Sequence, residues 1–352
     1  YWNADRTGFE VATTTDEESG LLLTYDISDP ENPQILEGYV LGHAAEEVAV
    51  NEMNSKAYVG NHEPSPTDVP CFVSVIDRSA FTDNDPGTSP YIFIDLDDEF
   101  QCVQGIEADE TLNQVFGTTH IGEVMYAFNS ADDSIAYSVD IRGPFDAQVP
   151  GLTGGPEELG LHMHDLTADG QNHRAYQTIH TLAPLVPGED EEAEEEEGGE
   201  ISGRWVAAVD VDPDSDTFQE VTIIDLSNGQ SADDVPSHED NEDNVAFEDR
   251  FVHAHFIGVD PTRKALLVSG EHTGNLGVVD IRSDDLEQVV AISRPIPGCE
   301  RVPEIDEETG EPLPLGPAEP HVHGVNIQQK AHTAYVSDEG EDCFYESVTI
   351  LK

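Results

Sequence analysis

The chain has 352 residues, with 14 Lys and Arg against 74 Asp and Glu and a formal charge of −60. Binding phosphates requires a basic patch, so nucleic acid is not an expected partner, and no apolar run is long enough to span a membrane. A hydrophobic content of 37% suffices for one large β domain, expected over 1–352.

The chain reads as short β-branched and aromatic runs separated by Gly, Pro, Asp and Asn, the pattern of antiparallel strands. Phe9 to Thr14, Leu21 to Asp26 and Ile35 to Val40 read as the second, third and fourth strands of a sheet that lacks its first. A complete set follows: Glu47 to Asn51, Lys56 to Asn61, Cys71 to Asp77 and Tyr91 to Leu96. The next copy places strands at Ile106, Val115 to Thr119, Val124 to Phe128 and Ala136 to Ile141, and the last copy stops at Ile350 in its third strand. Helical periodicity is nearly absent.

Five segments align without gaps on an apolar residue: KAYVGNH ending at His62, NQVFGTTH at His120, RAYQTIH at His180, LLVSGEH at His272 and TAYVSDE at Glu339. Their ends lie 58, 60, 92 and 67 residues apart, a period that fits a four-stranded propeller blade. The expected fold is all-β, a β-propeller of about six four-stranded blades within a range of five to seven. The longest interval holds the acidic run EDEEAEEEEGGE, read with its flanks (183–202) as a solvated loop inserted between second and third strands. Calcium binding at such acidic loops is a secondary expectation.

Upstream of each ending lies a second column: His162 with His164, His253 with His255 and His321 with His323, matched by His43, Glu46 and Gln104 in the earlier copies. Eleven of the fourteen histidines fall on or near the two columns, while His173, His238 and His332 do not. Residues two apart on a strand face the same side, so each HxH offers two imidazoles at the start of an innermost strand. With His62, His120, His180 and His272 at the ends of the neighbouring strands, the histidines are expected to ring the axial face. Neutral imidazole is the commonest transition-metal ligand, so copper first and zinc second are the expected cofactors. Glu46 and Glu339 are candidate ligands or orienting acceptors. Inheritance from one ancestral blade would produce the same pattern without function.

The strand motif VSVID (73–77), GVVDI (277–281) and LLTYDI (22–27) resembles the YVTN or YncE-like propellers, which implies the fold and, since propellers host many chemistries, no particular activity. The histidine-ringed hub is similar to those of nitrous oxide reductase and selenium-binding protein propellers, which implies metal binding and, by extension, a copper-dependent oxidoreductase. No CxxC and no paired-Cys copper motif accompany it, so the leaning is towards a binding protein and not an enzyme. The acidic excess and only four lysines (Lys56, Lys264, Lys330, Lys352) resemble proteins of salt-accumulating haloarchaea. At molar salt the Debye length falls to about 3 Å and self-repulsion is screened.

Cys71 and Cys343 follow second strands, while Cys102 and Cys299 precede first strands. Those loops open on one face of a propeller, so disulfides Cys71–Cys102 and Cys299–Cys343 are expected, the other two connectivities staying open. Disulfides, and a chain opening at Tyr1, suggest an extracellular or cell-surface protein. The unfinished first and last blades raise an alternative, a homo-oligomer or filament subunit completed by strand addition.

Overall fold

The computed structural model describes residues 11–16, 21–26, 34–41, 45–51, 53–61, 72–77, 91–96, 102–119, 123–149, 160–182, 200–226, 254–270, 275–282, 289–292, 322–328, 333–338 and 347–351. The fold is that of a β-propeller. The described strands form six antiparallel sheets, four of four strands and two of three, and the chain divides between Asp140 and Ile141 into two compact units of three sheets each.

In the first unit the sheets are β1 (Val11–Asp16), β2 (Leu21–Asp26) and β3 (Gln34–Val40), then β4 (Ala45–Asn51), β5 (Lys56–Asn61), β6 (Phe72–Asp77) and β7 (Tyr91–Asp95), then β8 (Val103–Asp109), β9 (Gln114–Thr119), β10 (Val124–Asn129) and β11 (Ile135–Asp140). The second unit begins with a helix, α1 (Arg142–Gln148). Its sheets are β12 (Gly160–Asp169), β13 (Arg174–Leu182), β14 (Glu200–Asp210) and β15 (Val221–Asp225), then β16 (Ala254–Asp260), β17 (Ala265–Gly270), β18 (Asn275–Asp280) and β19 (Val289–Ile292), then β20 (Val322–Gln328), β21 (Thr333–Asp338) and β22 (Ser347–Leu351). The helix is a departure from the all-strand expectation: its one fully buried side chain, Phe145, meets the Trp205 ring edge-on at 5.2 Å.

Neighbouring sheets of each unit stack on apolar faces. Tyr58, Val73 and Ile94 of one sheet share a buried cluster with Val115, Tyr126 and Phe128 of the next. In the second unit Tyr176, Val206 and Ile224 share one with Ile257, Leu266 and Val279. First strands lie side by side, β4 against β8 and β12 against β16 against β20.

The repeat is visible in the hairpins joining first to second strands. Asn51, Asp109, Asp169 and Asp260 each end a first strand and turn a side-chain oxygen back onto the following backbone, accepting from Asn54, from Thr111 and Leu112, from Gln171 and Asn172, and from Thr262 and Arg263 at 2.7–3.2 Å. Four residues beyond each of them the chain enters the left-handed region, with φ of 53°, 55°, 54° and 55° at Ser55, Asn113, His173 and Lys264. Such Asx turns fix hairpin length. They also give His173 its place as a turn residue, its carbonyl accepting the Val211 N–H.

The same strand pairs carry a one-residue bulge at one height. Register slips between Ala45 and Val48, Val103 and Ile106, Met163 and Leu166, Ala254 and Ile257, and Val322 and Gly324. The residue two before the restored pair, or the bulged position itself, is Glu46, Gln104, His164, His255 or His323. The sequence column is therefore a bulge column, where local twist re-aims side chains.

Two expectations are adjusted. The acidic insertion does lie between β13 and β14, but Glu200 to Ser202 belong to β14, where Glu200 opposes Leu182 and Ser202 opposes Thr181; residues 183–199 lie outside the described residues. Register also shifts one alignment. Val268 opposes Ile257 as Gln177 opposes Leu166, so the position matching His180 is Glu271 and His272 falls one beyond it, both outside the described residues.

Candidate functional site

Four of the predicted histidines come together in the second unit. His162 and His164 stand on β12, His180 on β13 and His255 on β16. His162 and His180 are directly opposed in the ladder. Ring centres lie 5.4 Å apart for His162 and His164, 5.3 Å for His162 and His180, 6.0 Å for His164 and His180, and 6.2 Å for His180 and His255. His164 and His255 are much closer, 3.5 Å centre to centre. His180 is fully buried, and His164 and His255 are buried with 7% and 3% exposure. Phe256 packs edge-on against both, at 5.7 Å from His164 and 4.7 Å from His255.

Hydrogen bonding fixes one tautomer. His180 Nε2 meets the Ala254 carbonyl, which can only accept, so Nε2 carries a proton and in the neutral ring the lone pair sits on Nδ1. The backbone around the two bulges is tied by side chains that the histidine columns do not reveal. The Thr178 hydroxyl accepts the Asp165 N–H at 3.0 Å and donates to the His255 carbonyl at 2.8 Å, crossing from one sheet to the next. The Asp165 carboxylate accepts the N–H of Leu166 at 2.6 Å and, across the same junction, the N–H of Ile257 at 2.8 Å. Ser269 Oγ accepts the Phe256 N–H at 2.9 Å. A sequence signal existed: Thr118, Thr178, Ser269 and Ser337 stand two residues before the column end set by strand register, and Glu47 and Asp165 follow the bulge column directly.

Three imidazoles that share one ion through nitrogens about 2.0–2.1 Å away have ring centres roughly 5–6 Å apart. His162, His164 and His180 have that spacing, whereas the His255 ring centre, 3.5 Å from that of His164, is too close for the two to share an ion. Spacing alone is not coordination. Among the described residues no group of three or more His, Cys, Asp or Glu side chains is arranged to hold a metal ion, so ring separation suits a ligand set and ring orientation does not.

Glu46 and His323 lie on β4 and β20, with only their strand positions described. His43, His62, His120, His253, His272, His321 and Glu339 lie outside the described residues, as do His238 and His332. Cys102 is buried and disulfide-bonded; Cys71, Cys299 and Cys343 lie outside the described residues.

No family model matches the sequence, and no curated protein matches it. Solved structures do match in fold. A functionally unknown protein from Desulfotomaculum acetoxidans DSM 771 aligns over 98% of this chain and 79% of its own, with a TM-score of 0.55 and 8% identity. The β-propeller domain of Myceliophteria thermophila Cps50 (Swd1) aligns over 97% of this chain and 80% of its own, with a TM-score of 0.52 and 9% identity. At such identities the likeness shows the propeller fold alone.

Proposed function

We propose that this propeller binds a transition-metal ion, copper first and zinc second, through His162, His164 and His180. The observation that carries the reading is the packing of four imidazoles, three of them buried, from three strands of two adjacent sheets into one group. Evolution of a soluble core has no need of four such rings, since each brings polar nitrogens that must be satisfied when desolvated. Three of the rings have the separation that a shared ion requires. Imidazole nitrogens favour copper over zinc at equal access. His255, whose ring lies 3.5 Å from that of His164 and is tilted 42° to it, would buttress the ligand from behind, with Phe256 excluding water.

The charge of −60 supports a high-salt setting for the protein, and a disulfide at Cys102 supports an oxidising one; Cys71 is the proposed partner.

The test is metal content. Protein purified from molar salt without chelator, then exposed to copper or zinc and desalted, is expected to hold close to one ion per chain by mass spectrometry. The His164→Ala, His180→Ala double variant is expected to hold none. A wild-type protein that retains neither metal, or a double variant that retains as much, would overturn the reading.

A further inference from the structure

The imidazole group raises the question of what keeps two rings 3.5 Å apart when they belong to different sheets. Their strands meet at two bulges, where ladder bonding is interrupted and backbone groups must find other partners. Four of those groups are satisfied by two side chains. Asp165 takes the N–H of Leu166, just past the first bulge, and the N–H of Ile257, just past the second. Thr178 takes the N–H of Asp165 and gives its own proton to the carbonyl of His255. Asp165 is 6% exposed, Thr178 fully buried.

We infer that Asp165, seated by Thr178, is the positioning residue of the His164–His255 pair. It adjoins His164 in sequence, and its second bond falls two residues after His255, so one carboxylate fixes the spacing of the two strands that carry the rings. Only an acceptor with two oxygens can do this. Asparagine would turn an N–H donor towards one of the two backbone N–H groups. A glutamate can serve, because Glu47, at the matching position of the first unit, reaches the Ile106 N–H at 2.9 Å.

The inference rests on the metal-binding reading for its consequence, but its test does not. Ring-nitrogen NMR spectra of the metal-free full chain in molar salt would be compared for wild type, Asp165→Asn, Asp165→Glu and Glu47→Gln, with His164→Gln and His255→Gln used to assign the signals. The expected result is that D165N moves the His164 and His255 signals, D165E returns them towards wild type, and E47Q leaves them in place while lowering thermal stability. In zinc titrations D165N is expected to weaken affinity about 10- to 100-fold, the usual effect of losing a group that orients a ligand. Unmoved ring signals in D165N would overturn the inference, as would E47Q moving them equally. Should D165N fail to fold, Thr178→Val withdraws a single hydroxyl from the same junction, and unmoved His164 and His255 signals there would overturn it. A wild type that binds no zinc or copper defeats the metal reading alone, since the ring spectra still decide the positioning role.

Discussion

The Glu47 carboxylate accepts the Ile106 N–H at 2.9 Å across the junction of two neighbouring sheets, and Asp165 makes the matching bond to Ile257 at 2.8 Å in the second unit. A bulge frees an N–H from the ladder, and an acidic side chain one sheet back receives it. Ile106 is 3% exposed, so no bulk water can replace the acceptor. Glu47→Ala is therefore expected to destabilise the first unit by about 1–3 kcal/mol, the cost of a buried donor left without its acceptor. Denaturant unfolding of the variant in constant salt measures it, and an unchanged midpoint would show the bond to be dispensable.

Gly60 occupies the place that Thr118 and Thr178 take in later copies. A β-carbon there would lie 2.5 Å from the Gln104 carbonyl oxygen and 2.7 Å from that of Val103. Both obstacles are backbone and neither can swing aside. Gly60→Ala is expected to cost about 1–3 kcal/mol through overpacking, read as a lowered melting temperature with unchanged circular dichroism at low temperature.

Burial pushes the Asp210 carboxyl upward, but hydrogen bonds from Thr217, the Asp212 N–H and Ser215, with Arg174 nearby, outweigh it and hold the group below the usual carboxylate range. With the folded value below the unfolded value of about 3.9, the stabilisation is present above pH 4 and fades as pH falls through the folded value. Asp210→Asn should be less stable than wild type near neutrality, and the difference should shrink on acidification below pH 4. Stability curves at fixed salt that stay parallel throughout that range would contradict this.

Tyr58 shifts the other way. Burial raises its phenol well above the ordinary range, and its hydrogen bond to Asp133 with the adjacent charge adds to the rise. A raised folded value means the contribution is complete below the unfolded value of about 10 and is lost as pH climbs beyond it. Tyr58→Phe is expected to flatten the loss of stability above pH 10, while also breaking the contact to Asp133, which Lys56 shares at 2.7 Å.

Trp205 is fully buried, edge-on to Phe145 and beneath the Arg204 guanidinium at 5.4 Å. Trp205→Ala should cost about 3–5 kcal/mol, measured by denaturant unfolding followed by circular dichroism. A cost below 1 kcal/mol would mean that the site collapses around the loss.

Much of the architecture was legible. β2 and β5 begin and end where the β-branched and aromatic runs between turn residues place them, and five repeat copies with the incomplete set before them indicated about six sheets. The histidine column on first strands was legible too, because repeats carry register in sequence. What the sequence hid were the bulges. A period-two reading treats β12 as regular, yet the slip between Met163 and Leu166 alters which side chains face the next sheet, and so conceals Asp165 and Thr178 as partners of backbone two strands away. The alignment on His272 failed for a related reason: gapless matching on apolar residues accepted Val268 where the ladder places Leu267, and one residue reverses the face of a strand. Helix α1 was missed because seven residues containing Gly143 and Pro144 carry no periodic signal.

Gln148, at the end of α1, has its carboxamide laid along β15: Nε2 donates to the Val221 carbonyl at 2.8 Å and Oε1 accepts the Ile223 N–H at 2.9 Å. One side chain thus imitates a further peptide unit beside an outermost strand. Bare backbone at such a margin is a template for self-association, and in strong brine, where charge repulsion between acidic chains is screened, a short-range stopper of this kind keeps working when electrostatic repulsion no longer does.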